Sequence, residues 1–354
     1  MQFSKKIVVF GVVAITFFYA ISIFRGNNFL EKSHRLYPLN MVNNFIKSKA
    51  IDESMYYTPV IEKTASDAGV DILVLVLGES ASAARWSLLG YKKNETNKPL
   101  VGIKNAISAT SISNGPYTLL ALPFMLLGES AADAKNNSRA SIIDFAKENG
   151  YKTFVFTNSR FYDRAEDFFN LILRRNSDVY VKTGDGGYDE NLSYWLEDAL
   201  KNKSAKKLIV LHTYGSHVAV DERYPKEYSV FDDEYDNSIF YTSILLDSWI
   251  QKIKTIPDKK SALIYMSDHG LMMPPCSDSF RAGYAKTSFE VPLFIWASEN
   301  NLISDVRHSL DRRAAINSAS FYNLSINFLG GKLPMFIFNK TGVFNPKDVC
   351  NVQR

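Results

Sequence analysis

The sequence predicts an α/β domain built on a largely parallel sheet, and three observations carry that prediction. Short continuous apolar runs, bounded by polar turns, recur along the chain. Amphipathic segments with helical spacing separate them. Several runs also stop abruptly at Glu, Asp or His residues, the pattern left by ligand-binding loops beyond the carboxyl ends of parallel strands. Of the 354 residues, 46% are hydrophobic and 22% charged, which suits a chain with a sizeable core. Net charge is only +4 and no long basic tract occurs, so composition gives no support for nucleic-acid binding.

Taken in order, Lys5 and Lys6 precede an uncharged run of 18 residues, Ile7 to Phe24, closed by Arg25. That length spans a bilayer, and no small-x-small cleavage site follows it, so an uncleaved transmembrane helix is expected in preference to a signal peptide. The lysine pair orients residues 1–6 to the cytoplasm and the rest outside it. Residues 25–70 read as a juxtamembrane stalk and 71–354 as one domain, with no internal repeat or interior linker.

Asp71–Leu77 is too short and too branched for a comfortable helix and reads as a strand buried on both faces, ending at Gly78-Glu79-Ser80. Ser108–Pro116 is dense in Ser, Thr, Asn and Gly and leads into an apolar helix from about Thr118. A helix over 138–149 closes at Gly150, and strands are expected over 152–156 and 178–182. A helix over 190–201 follows. The third central strand, 207–211, runs into His212 and Gly215-Ser216-His217. A helix over 236–253 precedes the strand 261–266, which ends at Ser267-Asp268-His269-Gly270. A strand over 291–296 and a helix over 312–328 complete the order.

The chain has five histidines, and three of them, His212, His217 and His269, fall just after predicted strands. One such histidine is more often structural than a ligand. Three with Glu79 and Asp268 are another matter, because acids gathered at strand ends are costly without a cation. A bound metal activates a hydroxyl by lowering its pKa. Ser80, Ser216, Ser267 and the segment from Ser108 to Thr118 offer hydroxyls, and Thr118 follows a Gly115-Pro116 turn at a helix start, where backbone N–H groups receive anionic oxygen. The two cysteines, Cys276 and Cys350, are either unpaired and buried or joined in a disulfide fixing the tail to the loop after His269.

Val76-Leu77-Gly78-Glu79-Ser80-Ala81, then Leu89-Gly90-Tyr91 and Thr96-Asn97-Lys98-Pro99-Leu100, resemble the opening motif of the lipid A phosphoethanolamine transferases, members of the alkaline phosphatase and sulfatase superfamily. Thr118 with Pro123-Phe124-Met125, the pair His212 and His217, and Ser267-Asp268-His269-Gly270 resemble its later motifs in the same order. The resemblance covers about 71–297. It implies a three-layer sulfatase-like domain with Glu79, Thr118, Asp268 and His269 around one Zn2+. By the same resemblance Thr118 attacks phosphatidylethanolamine and holds phosphoethanolamine until a surface glycan accepts it, either lipid A or core sugar of lipopolysaccharide. His217 would contact the phosphate or a second zinc and help proton transfer, and Asn158, Ser159, His212 and His217 would bind substrate. A single-pass protein of the bacterial inner membrane with a periplasmic domain is the setting implied.

The chain also departs from that family. It offers one membrane span where several are usual, Arg281 where a further histidine is usual, and Asn114 and Phe124 where cysteines commonly bracket the threonine. Tyr162 replaces a lysine expected after the Asn-Ser pair. A phosphodiester hydrolase or phosphoglycerol transferase of the same superfamily, and a non-catalytic membrane-anchored binding protein, are the alternatives.

Overall fold

The computed structural model describes residues 69–130, 133, 140–158, 172–183, 187–311, 316–334 and 350. The expected membrane helix 7–24 and nearly all of the stalk lie outside the described residues. Among the described residues no helix is long and apolar enough to cross a membrane.

Eight strands form one sheet: β1 Ile72–Gly78, β2 Ala106–Ile112, β3 Lys152–Thr157, β4 Val179–Lys182, β5 Lys207–His212, β6 Ser261–Ser267, β7 Glu290–Ala297 and β8 Ile316–Asn317. Their spatial order is β4-β3-β5-β1-β6-β7-β2-β8. Every residue of β1 and of β6 is buried, as their unbroken apolar runs require of strands covered on both faces. Helix α1 is Thr118–Leu127, α2 Ile142–Glu148, α3 Asn191–Lys201, α4 Glu234–Lys254, α5 Ser304–Asp311 and α6 Ser318–Phe328.

The sheet is mixed rather than uniformly parallel. Five of its seven pairings are parallel, but β7 runs antiparallel to both β6 and β2. The two reversals cancel. β2 therefore points the same way as β6 and β1, and its carboxyl end reaches the rim where Gly78 and Ser267 pair. On one face, Ile72, Val74 and Val76 pack with Leu192 and Leu196 of α3 and with Tyr235, Leu246 and Trp249 of α4. On the other, α6 lies against α1, α2 and β6. The expected three-layer arrangement follows.

The expected strands and the helices α1, α3 and α4 form close to their expected bounds. β2 was not anticipated: Ser108, Thr110 and Ser111 read as turn formers, yet the segment pairs with β7 along its whole length. The last helix begins at Ser318 because Ile316 and Asn317 pair with β2, and the Asn317 side chain then caps the helix by accepting from the Ser320 N–H. Helix α2 starts at Ile142, fixed by a capping box in which Ser141 and Asp144 exchange side-chain and backbone bonds. Cys276 and Cys350 form a disulfide, and the Lys286 N–H donates to the Cys350 carbonyl beside it.

Candidate active site

Two strand ends are stitched together before any side chain meets a ligand. The Asp268 N–H donates to the Gly78 carbonyl at 3.0 Å, the Ala81 N–H to Ser267 Oγ at 2.8 Å, and the Ser80 N–H to Asp268 Oδ1 at 3.2 Å. Ser80 pays for this sharp turn with a φ of 59°, a region non-glycine residues rarely adopt. The buried Tyr235 hydroxyl clamps the turn, donating to the Ser80 carbonyl at 2.6 Å and accepting from the Ser82 N–H at 2.8 Å. Gly78 has no space for a side chain, since a Cβ there would lie 2.6 Å from the Tyr265 ring.

These turns bring Glu79, Asp268 and His269 together as a buried trio whose ligand atoms all lie within 4.8 Å of one another. His269 Nε2 is 3.3 Å from Glu79 Oε1 and 3.6 Å from Asp268 Oδ2. His269 Nδ1 lies 2.8 Å from the Gly270 carbonyl and donates to it, which turns the Nε2 lone pair inward.

Thr118 joins them from the other part of the sheet. It is the first residue of α1, and Tyr117 takes the cap position, so the threonine hydroxyl has no capping duty. That hydroxyl donates to Glu79 Oε2 at 3.0 Å and stands 3.4 Å from His269 Nε2. The approach to α1 is held by Ser113, whose hydroxyl donates to the Asp268 carbonyl and whose N–H donates to the Phe289 carbonyl. A reciprocal clasp adds to this: the Asn114 N–H donates to Ser318 Oγ at 3.1 Å, and the Ser318 N–H to Asn114 Oδ1 at 3.0 Å. Asn114 thus ties the segment leading into Thr118 to α6.

The donor set fits zinc. Asp268 Oδ2 is buried and has no hydrogen-bond partner among the described residues, a costly state for a carboxylate unless a cation faces it. Bonds of about 2.0 Å to a tetrahedral zinc put ligand atoms about 3.3 Å apart. The separations of 3.0, 3.3, 3.4 and 3.6 Å straddle that value. The charges agree. Burial opposes ionisation of Glu79, but the His269 hydrogen bond and charge, helped by His217 and Ser80, hold it well below the usual carboxylate range. Burial and the charge on Glu79 push Asp268 up to about 7, and the two acids outweigh burial to raise His269 to about 9. With Glu79 ionised, Asp268 and His269 hold their protons beyond their ordinary range, so the group is short of positive charge, which a divalent ion supplies.

Around this centre the other expected residues take different places. His217 is half-buried, close enough for its charge to act on Glu79, and its ring stacks on Tyr214 with centroids 5.1 Å apart. His212 is buried at the end of β5, its Nδ1 3.1 Å from Thr157 Oγ1, and burial lowers its pKa to about 4. Asn158 is fully buried, donating to the Gly187 carbonyl and Asp189 Oδ1 while accepting from Thr183. Ser159 lies outside the described residues. Arg281 is exposed on a short hairpin with Met272. Ser113 and Asp189 support the site without standing out in the sequence, since a lone serine or aspartate carries no motif; Tyr235 opens the segment Tyr235-Asp236-Asn237-Ser238-Ile239, which resembles a helix start of the lipid A phosphoethanolamine transferases.

Residues 71–317 match the sulfatase family profile. The chain belongs to the sulfatase family. Within it, the chain is 33% identical over 271 residues to the protein YhbX of Escherichia coli K12, covering 70% of this chain and 49% of YhbX. It is 27% identical over 264 residues to the phosphoethanolamine transferase EptC of the same organism, covering 64% of this chain and 45% of EptC. The C-terminal periplasmic domain of Escherichia coli EptC, solved in complex with zinc, shares the fold with a TM-score of 0.64 at 24% identity, over 76% of this chain and 84% of that domain. The integral membrane protein EptA of Neisseria meningitidis, a lipooligosaccharide phosphoethanolamine transferase, shares it with a TM-score of 0.68 at 17% identity, over 91% of this chain and 67% of EptA. This sulfatase-family chain spans about half the length of the curated relatives it matches.

Proposed function

We propose that this protein is a zinc-dependent phosphoethanolamine transferase that moves the headgroup of phosphatidylethanolamine to a surface glycan, with lipid A or core sugar of lipopolysaccharide as acceptor. The observation that carries the reading is the meeting of the Thr118 hydroxyl with Glu79 and His269, from segments 39 and 151 residues apart. The phosphoethanolamine transferases among its relatives give the substrate class.

Zinc held by Glu79, Thr118, Asp268 and His269 would lower the pKa of the threonine hydroxyl and offset charge on the phosphoryl oxygens. Thr118 gives its proton to water on the open side of the site, and its Oγ forms a bond to phosphorus as the bond to the glycerol oxygen breaks. A protonated His217 gives its proton to that oxygen, releasing diacylglycerol. In the second half the neutral His217 takes the proton of an acceptor hydroxyl, whose oxygen displaces Thr118 from phosphorus, and the released Thr118 oxygen takes back a proton from water. Of the described residues expected to bind substrate, His217 is placed best for contact, since Asn158 and His212 are both buried. Residues 7–24 would anchor the chain in the inner membrane beside its lipid donor, with 71–354 in the periplasm. The disulfide fits that oxidising compartment.

The test is transfer from vesicles containing phosphatidylethanolamine to lipopolysaccharide, read by mass spectrometry of the glycolipid. A phosphoethanolamine-sized gain that disappears with Thr118→Ala supports the reading. Release of free phosphoethanolamine with no change in the glycolipid would make the protein a phosphodiesterase.

A further inference from the structure

The loop that follows β5, Thr213 to His217, forms one wall of the active site and is tied at both ends: the Thr213 N–H and hydroxyl donate to the Leu77 carbonyl, and the Ser216 hydroxyl meets that of Ser238 at 2.8 Å. It lies flat on Glu79: the Ser216 N–H donates to the Glu79 carbonyl at 2.9 Å, and Gly215 has a φ of 51°. A Cβ on Gly215 would come within 2.5 Å of that carbonyl oxygen. The contact is close enough that a small displacement of the loop moves Glu79, His217 or both.

Between those ties, what fixes the Tyr214–Gly215 peptide is a carboxylate from a distant segment. Asp189, 5% exposed, accepts from the Tyr214 N–H and Asn158 Nδ2 through Oδ1 and from the Gly215 N–H through Oδ2, each at 2.8 Å. Asn158, at the end of β3, also receives a bond from Thr183 and donates its backbone N–H to the His212 carbonyl, so the carboxylate is braced from behind. Two adjacent backbone amides aimed at one buried carboxylate make a rigid anchor. The Tyr214 side chain stacks on His217 on the site side, and the Arg223 guanidinium lies 4.0 Å from the Tyr214 ring centroid.

We propose that Asp189 is a positioning residue for the active site: its carboxylate fixes the Tyr214–Gly215 peptide, and through it the placement of His217 over Glu79. The role rests on the transferase reading for its effect on turnover, but the anchoring itself is readable without any turnover. Asp189→Asn keeps the size and the Asn158 neighbour while replacing one acceptor oxygen with an NH2 group that cannot receive an amide N–H.

The test uses the full chain in detergent and two readouts. Hydrogen exchange at the Tyr214 and Gly215 amides speeds up at least about tenfold in Asp189→Asn, while the amides of β1 and β5 stay as protected as in the unaltered protein. Headgroup transfer at saturating donor falls at least about tenfold in the same variant. Adding Asp189→Asn to His217→Ala produces little further loss, because the positioned group is already gone. Unchanged exchange at both amides, or a full multiplicative loss in the double variant, overturns the role. Should Asp189→Asn not fold, the unaltered protein decides: both amides must exchange slowly, and fast exchange at either overturns the anchor. If exchange responds as stated but no transfer is detected in any form of the protein, the transferase reading fails and the anchor stands.

Discussion

The two sides of the sheet make unlike contributions to one site. From β4 through β3 and β5 to β1 all strands are parallel, and that side presents Glu79 and the wall bearing His212 and His217. Beyond β6, β7 alone runs opposite to its neighbours while β2 and β8 run with β6, and that side presents Asp268 and His269 at its inner edge and Thr118 from beyond β2. The parallel side obeys a simple rule, in which β1 and β5 end at the rim and lead there into Glu79 and into His212 and His217. On the mixed side β6, parallel to β1, brings Asp268 and His269 to the rim directly, whereas β2 reaches it only because it and β6 both run opposite to β7. Acidic and imidazole ligands therefore come from rigid central strands, whereas the hydroxyl arrives on a helix held by Ser113 and by the Asn114–Ser318 clasp. The site draws on both sides, and Thr118 depends on the less regular one.

Substitutions can separate the two contributions. Asp268→Asn or His269→Ala, at the inner edge, should cut zinc content from about one equivalent to near zero by elemental analysis and abolish transfer; metal retained in both would remove the centre from the account. Stripping zinc from the unaltered protein with a chelator should lower the melting temperature by several degrees, since a ligand at about a thousand times its Kd stabilises by about 4 kcal/mol. An unshifted melting curve would mean that no ion binds the folded chain at that site. On the mixed side, Asn114→Ala breaks a buried clasp and should cost about 1–3 kcal/mol in denaturant unfolding, with activity reduced and metal content retained. Loss of metal there instead would show that the hydroxyl side shapes the whole centre.

The smallest effect concerns His212, on the parallel side. Burial lowers its folded pKa to about 4, below the unfolded value of about 6.5. The unfolded chain then binds more protons between those values, so the stability from a neutral His212 is complete above about pH 6.5 and declines as pH falls toward 4. His212→Gln should flatten that part of the acid-unfolding curve relative to the unaltered protein; identical slopes would place His212 in a more solvated setting.

The legibility of the sequence follows the same division. Strands β1, β5 and β6 are unbroken apolar runs, and their ends name Glu79, His212, Asp268 and His269 directly. β2 hid its pairing behind Ser108, Thr110 and Ser111, which are also good turn residues, and only the β7 ladder and the bond from Ser111 Oγ to the Ile316 carbonyl give them a strand's role. Thr118 was found as a hydroxyl at a helix start, but what brings it to the rim is topology, which local periodicity does not encode. Asp189 had no signal at all: it lies in a polar stretch, and its partners Asn158, Tyr214 and Gly215 are tens of residues away.

The most direct measurement is peptide mapping by mass spectrometry of the zinc-loaded protein, quenched during turnover with phosphatidylethanolamine and no acceptor. From the covalent mechanism, a phosphoethanolamine adduct is expected on the peptide containing Thr118, present in the unaltered chain and missing in Thr118→Ala. Headgroup transfer that continues in Thr118→Ala, or an adduct on another residue, would contradict it.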